Sequence, residues 1–69
     1  MVNKHIHNVD TLLNDREATA YLNLSGGTLR VWRSQKRYKL PYSKIGSRVM
    51  YRLSDLNAFI ESRKIFISE

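Results

Sequence analysis

The chain contains no cysteine, one proline and three glycines in 69 residues. Without thiols it can form no disulfide, hold no metal through thiolate and run no thiol chemistry, which suits a reducing cytosol. No apolar run is long enough to span a bilayer, and the segment Met1-Val2-Asn3-Lys4-His5-Ile6-His7 lacks the apolar stretch of a secretory signal. Internal repeats and low-complexity stretches are also missing. The expectation is a soluble cytoplasmic protein with no membrane partner. A chain of this length buries only about 60% of its unfolded surface on folding, so one small domain with a marginal core is expected. That leaves little room for a catalytic cavity.

Acidic residues are missing from one long stretch. None lies between Glu17 and Asp55, and that window holds Arg30, Arg33, Lys36, Arg37, Lys39, Lys44, Arg48 and Arg52, eight of the twelve basic residues. The formal net charge of +6 therefore belongs to the middle of the chain. A one-sided field raises the local concentration of polyanions and speeds their capture. Nucleic acid is the first partner to expect.

The first helix signal is Leu13-Asn14-Asp15-Arg16-Glu17-Ala18. Asn14 can accept from amides that a helix start leaves unpaired, Glu17 can reach back to it, and Leu13 can staple onto Ala18. A helix is expected from about Asp15, with Ala18, Tyr21 and Leu22 as its buried stripe. Asn23-Leu24 breaks that pattern, and Ser25 offers a cap for a second helix over Gly26 to Gln35. In the second helix Leu29 and Trp32 share the face that packs on the first. Gly27, Arg30, Val31 and Ser34 fall on the opposite face, flanked by Thr28 and Arg33. A short exposed face with a central cation fits the DNA major groove. Arginines on an isolated surface helix more often serve solvation alone.

The adjoining segment shifts that balance. Pro41 starts an extended stretch, Gly46-Ser47 supplies a turn, and Tyr42 to Ile45 and Arg48 to Arg52 read as the two strands of a hairpin. Alternation directs Val49, Tyr51 and then Leu53 inward, with Arg48, Met50 and Arg52 outward. Lys44 is expected on the outer face and Ile45 on the inner. A cationic hairpin with a small tip can approach phosphates or enter a minor groove, although basic residues also simply protect strand edges. A last helix is marked by Leu53-Ser54-Asp55-Leu56-Asn57-Ala58-Phe59-Ile60, with Ser54 as cap, Asp55 at the positive end of the dipole, a stripe of Leu56, Phe59 and Ile60, and an end near Arg63.

Other chemistry is thinly represented. Trp32 could offer a base-stacking platform, but its spacing from Leu29 favours core packing. His5 and His7 form a His-x-His pair without a third ligand, so no metal is expected. Asp10 and Asp15 have no catalytic companion; no catalytic residues, cofactor or enzymatic activity are expected.

The order helix, turn, helix, basic hairpin, helix resembles the small winged helix-turn-helix domains of the excisionase and MerR-like group. The carrying residues are Leu13-Asn14-Asp15-Arg16-Glu17-Ala18, Ala20-Tyr21-Leu22-Asn23-Leu24-Ser25, Thr28-Leu29-Arg30 with Trp32-Arg33, Pro41-Tyr42, Lys44-Ile45-Gly46, Arg48-Val49 and Tyr51-Arg52-Leu53-Ser54-Asp55-Leu56. The likeness spans residues 12 to 63, with residues 1–11 and 64–69 expected as tails. It departs from relatives that carry consecutive basic residues before the tryptophan, since Arg30-Val31-Trp32 stands here, and at the paired Gly26-Gly27. No effector-binding or dimerisation region is expected after the domain, which aligns it with the short excisionase and prophage-regulator members.

The resemblance implies a mainly α fold with a small β-hairpin, a winged helix-turn-helix, that binds double-stranded DNA sequence-specifically. The recognition-helix residues expected at the DNA are Ser25, Gly27, Thr28, Arg30, Val31, Arg33 and Ser34. The wing residues are Lys44, Gly46, Ser47, Arg48 and Arg52, with Lys36, Arg37 and Lys39 as auxiliary cations. The role it implies is an excisionase-type accessory that bends DNA beside an integrase or recombinase and neighbouring copies of itself. The alternatives are a prophage or mobile-element transcription regulator, or a protein-interaction adaptor with a basic face.

Overall fold

The computed structural model describes residues 11–65. The His5–His7 pair, Asp10 and the Phe66-Ile67 part of the tail lie outside the described residues. Six elements follow in order: β1 (Leu12–Asn14), α1 (Asp15–Tyr21), α2 (Thr28–Gln35), β2 (Ser43–Ile45), β3 (Arg48–Arg52) and α3 (Leu53–Ser62). The strands form one antiparallel sheet in the order β1-β3-β2. This is the expected winged helix-turn-helix with one addition, since the hairpin is extended by β1. Thr11, assigned to the tail from sequence, gives its carbonyl to the Leu53 amide at 2.8 Å.

Local chemistry explains most of the helix ends. At the start of α1 the capping box is complete: Asn14 Oδ1 accepts from the Glu17 amide at 2.8 Å, and Glu17 Oε1 accepts from the Asn14 amide at 2.9 Å. A cap of this kind contributes about 1 kcal/mol. The helix ends in a Schellman motif, because Asn23 takes φ +59° and the Leu24 and Asn23 amides donate to Thr19 and Ala20 carbonyls at 2.9 and 3.0 Å. That left-handed residue is what turns the chain into α2.

Two expected caps are corrected. Helix α2 starts at Thr28 rather than Gly26, and its N-cap is Gly27 at φ +85° with no side-chain cap. Ser25 contributes its backbone carbonyl to the Thr28 amide at 3.2 Å. The turn therefore uses glycine for a conformation that L-residues with a Cβ resist, and a serine hydroxyl is not needed. Ser54 lies inside the first turn of α3, whose N-cap is Arg52, again without a side-chain cap. β3 runs straight into the helix, and the first α3 amide, that of Leu53, donates to the Thr11 carbonyl.

The core consists of Ala18, Leu29, Tyr51 and Leu56, with Leu13, Leu22, Leu24, Trp32, Leu40 and Val49 packed around it. Trp32 is half-buried and packs edge-on to Tyr38 at 4.6 Å between ring centroids, with Phe59 at 5.8 Å. It is a packing residue, as its spacing indicated. Tyr21 and Ile60 leave the stripes expected for them, being 47% and 43% exposed. The Tyr21 hydroxyl instead donates to Asn57 Oδ1 at 2.5 Å, joining α1 to α3 through a surface bond. Thr19 is buried in its place, its hydroxyl donating to the Asp15 carbonyl at 2.7 Å.

Helix α2 closes on Lys36 at φ +51°, with the Lys36 and Arg37 amides donating to Arg33 and Trp32 carbonyls at 3.2 and 3.0 Å. The geometry is that of a glycine C-cap occupied by lysine. Lys36→Gly is expected to stabilise the domain by about 0.5–1 kcal/mol, the strain relieved exceeding the extra unfolded-state entropy of glycine. Chemical denaturation compared with the parent chain measures it.

Candidate nucleic-acid interface

The turn at Gly26-Gly27 sets α2 so that Leu29 is buried while Arg30, Val31 and Ser34 face outward. Val31 is 48% exposed, an apolar contact held at the surface beside a cation. Thr28 and Gly27 sit half-buried at the start of the helix. On the hairpin, Ile45 pairs with Arg48 across the two-residue turn Gly46-Ser47. Gly46 takes φ +63° and Ser47 keeps an ordinary φ, the pattern in which glycine occupies the first central position of a tight turn.

The register corrects the faces assigned to Lys44 and Ile45. Directly opposed residues in an antiparallel pair point to the same side. Lys44 opposes Val49, and Ile45 opposes Arg48. Lys44 therefore shares the face of Val49 and Tyr51, while Ile45, 52% exposed, stands on the outer face with Arg48 and Met50. Alternation along one strand does not set the faces of its partner; the two-residue turn does, by placing Ile45 opposite Arg48.

Helix α1, the turn, α2 and the wing surround a groove of about 590 Å³. Arg16, Arg30 and Arg33 line it together with Gly26, Gly27, Ser47 and Val49. Lys44 shares a sheet face with Val49, so it stands on the groove side of the wing, whereas Arg48 flanks the tip from the other face. Among the described residues, no ion pair neutralises Arg16, Arg30, Lys44 or Arg48. The remaining expected cations are placed elsewhere. Arg52 stands at the opposite end of β3 across from Leu12. Lys36 borders a separate 150 Å³ cavity with Tyr38 and Tyr42, Arg37 stacks over Tyr38 at 5.6 Å, and Lys39 is exposed.

Arg33 differs from the other groove cations. Its Nη1 donates to Asp15 Oδ2 and to the Tyr51 hydroxyl, each at 2.7 Å, and its side chain is only 17% exposed. Burial lowers the Arg33 pKa, but the hydrogen bonds to Tyr51 and Asp15 outweigh it and the group is held above its ordinary value. Sequence reasoning missed two participants. Arg16 lies in the first turn of α1 and carries its charge beside the groove, a placement that only the meeting of α1, α2 and the wing reveals. Asp15 was left without a companion because its partner is 18 residues away and no periodicity links them.

A family model for helix-turn-helix domains matches residues 12–64. The chain belongs to this family. It is a family of small excisionase-like DNA-binding domains, and the match runs from β1 through the end of α3, taking in both walls of the groove. Comparison with curated proteins and with solved structures returns no match. Among the described residues of this helix-turn-helix domain, no helix is long and apolar enough to cross a membrane.

The Tyr51 hydroxyl is raised above its ordinary 10.0, chiefly by burial, against the lowering effect of Arg33. The folded state thus holds the phenolic proton more tightly than the unfolded state. Stability from this group is complete below pH about 10 and is lost as pH rises through the higher folded value. Unfolding measured from pH 8 to 11 is expected to show a steeper alkaline loss for the parent chain than for Tyr51→Phe.

Proposed function

We propose that the chain is a sequence-specific double-stranded DNA-binding protein that serves as an excisionase-type accessory, bending DNA beside a separate recombinase. The observation that carries the DNA reading is the groove between α2 and the wing, which the un-neutralised Arg16 of α1 and Arg30 of α2 line and which Lys44 and Arg48 of the wing flank. Helix α2 supplies base contacts: Arg30 can donate two bonds to a guanine edge, and Val31 can meet a thymine methyl. Gly46 and Ser47 make a tip small enough to approach the sugar-phosphate backbone or the minor groove, with Lys44 and Arg48 on its two sides. Arg16 is placed to take a phosphate between these contacts.

The recombination role follows from how little one such head can read. A single module buries about 600–1,000 Å² of protein surface on DNA. Useful specificity then calls for several copies side by side, and neighbouring copies bend the duplex they share. Membership in a helix-turn-helix family of small excisionase-like domains supports the DNA-binding part of this reading.

Contact with about five phosphates gives log K against log salt a slope of roughly −4 to −5. Arg48→Ala should weaken binding on every duplex and make that slope shallower by about one, because wing contacts position. Arg30→Ala should reduce discrimination between specific and random duplex by about 1–3 kcal/mol with little change in melting temperature. Salt titrations of the three proteins, with footprinting and circular-permutation mobility on DNA from the ends of a mobile element, provide the test. A slope near zero would sink the DNA reading, and a single unbent site beside a promoter would replace excision with transcriptional regulation.

A further inference from the structure

Arg33 joins parts of the domain that the backbone leaves separate. It lies in the last turn of α2, and its Nη1 reaches Asp15 at the start of α1 and the Tyr51 hydroxyl on β3, both at 2.7 Å. Its guanidinium carbon stands 5.6 Å from the ring centroid of Tyr42, on the approach to β2. The Tyr42 and Tyr51 rings are themselves 6.1 Å apart. One cation thus touches the first helix, the recognition helix and both sides of the wing.

Beside it, α2 and the wing share an apolar cluster. Helix α1 packs on α2 and on β3, and Leu29 and Tyr51 meet in the core cluster. Apolar packing is non-directional and sets distance better than angle. Two charge-assisted hydrogen bonds donated by one guanidinium nitrogen do fix an angle. Among the described residues Arg33 is held through Nη1 alone, and the side chain also lines the groove.

We propose that Asp15 and Tyr51 are positioning residues for DNA binding: by holding Nη1 of Arg33 they fix the angle between the recognition helix and the wing. This rests on the DNA reading above. Neither residue touches DNA. Each saves the ordering that a loose helix and wing would require on binding, the general advantage of preorganisation. The effect belongs to sites that use α2 and the wing together, so it falls on specific binding more than on random duplex.

The test uses the full chain and its Tyr51→Phe, Asp15→Asn, Arg48→Ala and Tyr51→Phe/Arg48→Ala variants. The probe is a duplex selected by the parent chain from random-sequence DNA, with an unrelated duplex of equal length as control. Binding is measured at a temperature where circular dichroism shows each variant folded. Tyr51→Phe and Asp15→Asn should each weaken the selected duplex by about tenfold and the unrelated duplex by much less, a contrast of the size seen when a well-formed contact is lost. The cost of Arg48→Ala should shrink in the Tyr51→Phe background, although residues 48 and 51 stand on opposite faces of β3. Such coupling between residues that do not touch reports a shared geometry.

A brace that only stabilises the fold would lower the melting temperature and leave affinity and the Arg48→Ala cost unchanged, which overturns the proposal. If Asp15→Asn does not fold, Tyr51→Phe decides, since it removes one hydroxyl and keeps the ring in the core. A parent chain that prefers heparin to duplex DNA would overturn the DNA reading and the positioning role with it. Tight, selective binding by the parent with unaltered variants would overturn positioning alone.

Discussion

The burial of Tyr51 is the constraint on which the rest of the structure depends. It is 1% exposed and sits on β3, the central strand of the sheet, across from Leu13 on β1. Its ring closes the core against Ala18, Leu29 and Leu56, so each helix packs on a cluster that contains it. Its hydroxyl would be costly to bury alone, and Arg33 satisfies it. One residue thus ties the wing to the recognition helix through both an apolar and a polar end. In a domain of this size, with a core of four fully buried apolar residues, there is no second layer to do that work.

Features set by neighbours in sequence were legible before the structure. Asn14 and Glu17 form a capping box because their spacing alone brings the partners together. Gly46-Ser47 fixes the hairpin turn, and Leu56 falls on the buried side of α3 because its period requires it. Features set by distant partners were not. β1 has only Leu12, Leu13 and Asn14, too short for alternation to show, and exists by pairing with Arg52, Tyr51 and Met50. Ile45 was placed inward by local pattern, yet the cross-strand register puts it outside at 52% exposure. Tyr21 looked like a core residue by spacing, but its hydroxyl finds Asn57 at the surface instead.

The candidate site divides in the same way. Arg30, Val31 and Ser34 on α2 and Arg48 on the wing were identifiable as exposed from periodicity and the turn, whereas Lys44 needed the cross-strand register to find its face. Arg16 and the Asp15–Arg33–Tyr51 connection were not, because a groove is a property of three elements meeting. The sequence does show Asp15 just outside the acid-free window, and that position is informative in hindsight. It reaches into the basic region to meet Arg33, a cation whose side chain is only 17% exposed.

That choice of pair has an electrostatic consequence. A net charge of +6 on a domain of 69 residues costs stability through self-repulsion, and surface ion pairs placed among the cations would relieve it by about 0–1 kcal/mol each. Such pairs would also cancel the field that attracts a polyanion. Two ion pairs leave most of that field intact: Arg33, partly buried in the groove wall, pairs with Asp15, and Lys64 pairs with Glu61 past the end of α3. Arg16, Arg30, Lys44 and Arg48 keep their charge for an outside partner. Repulsion among them is greatest in the unbound domain and is relieved when phosphates arrive, so part of the cost carried by the free protein returns as affinity.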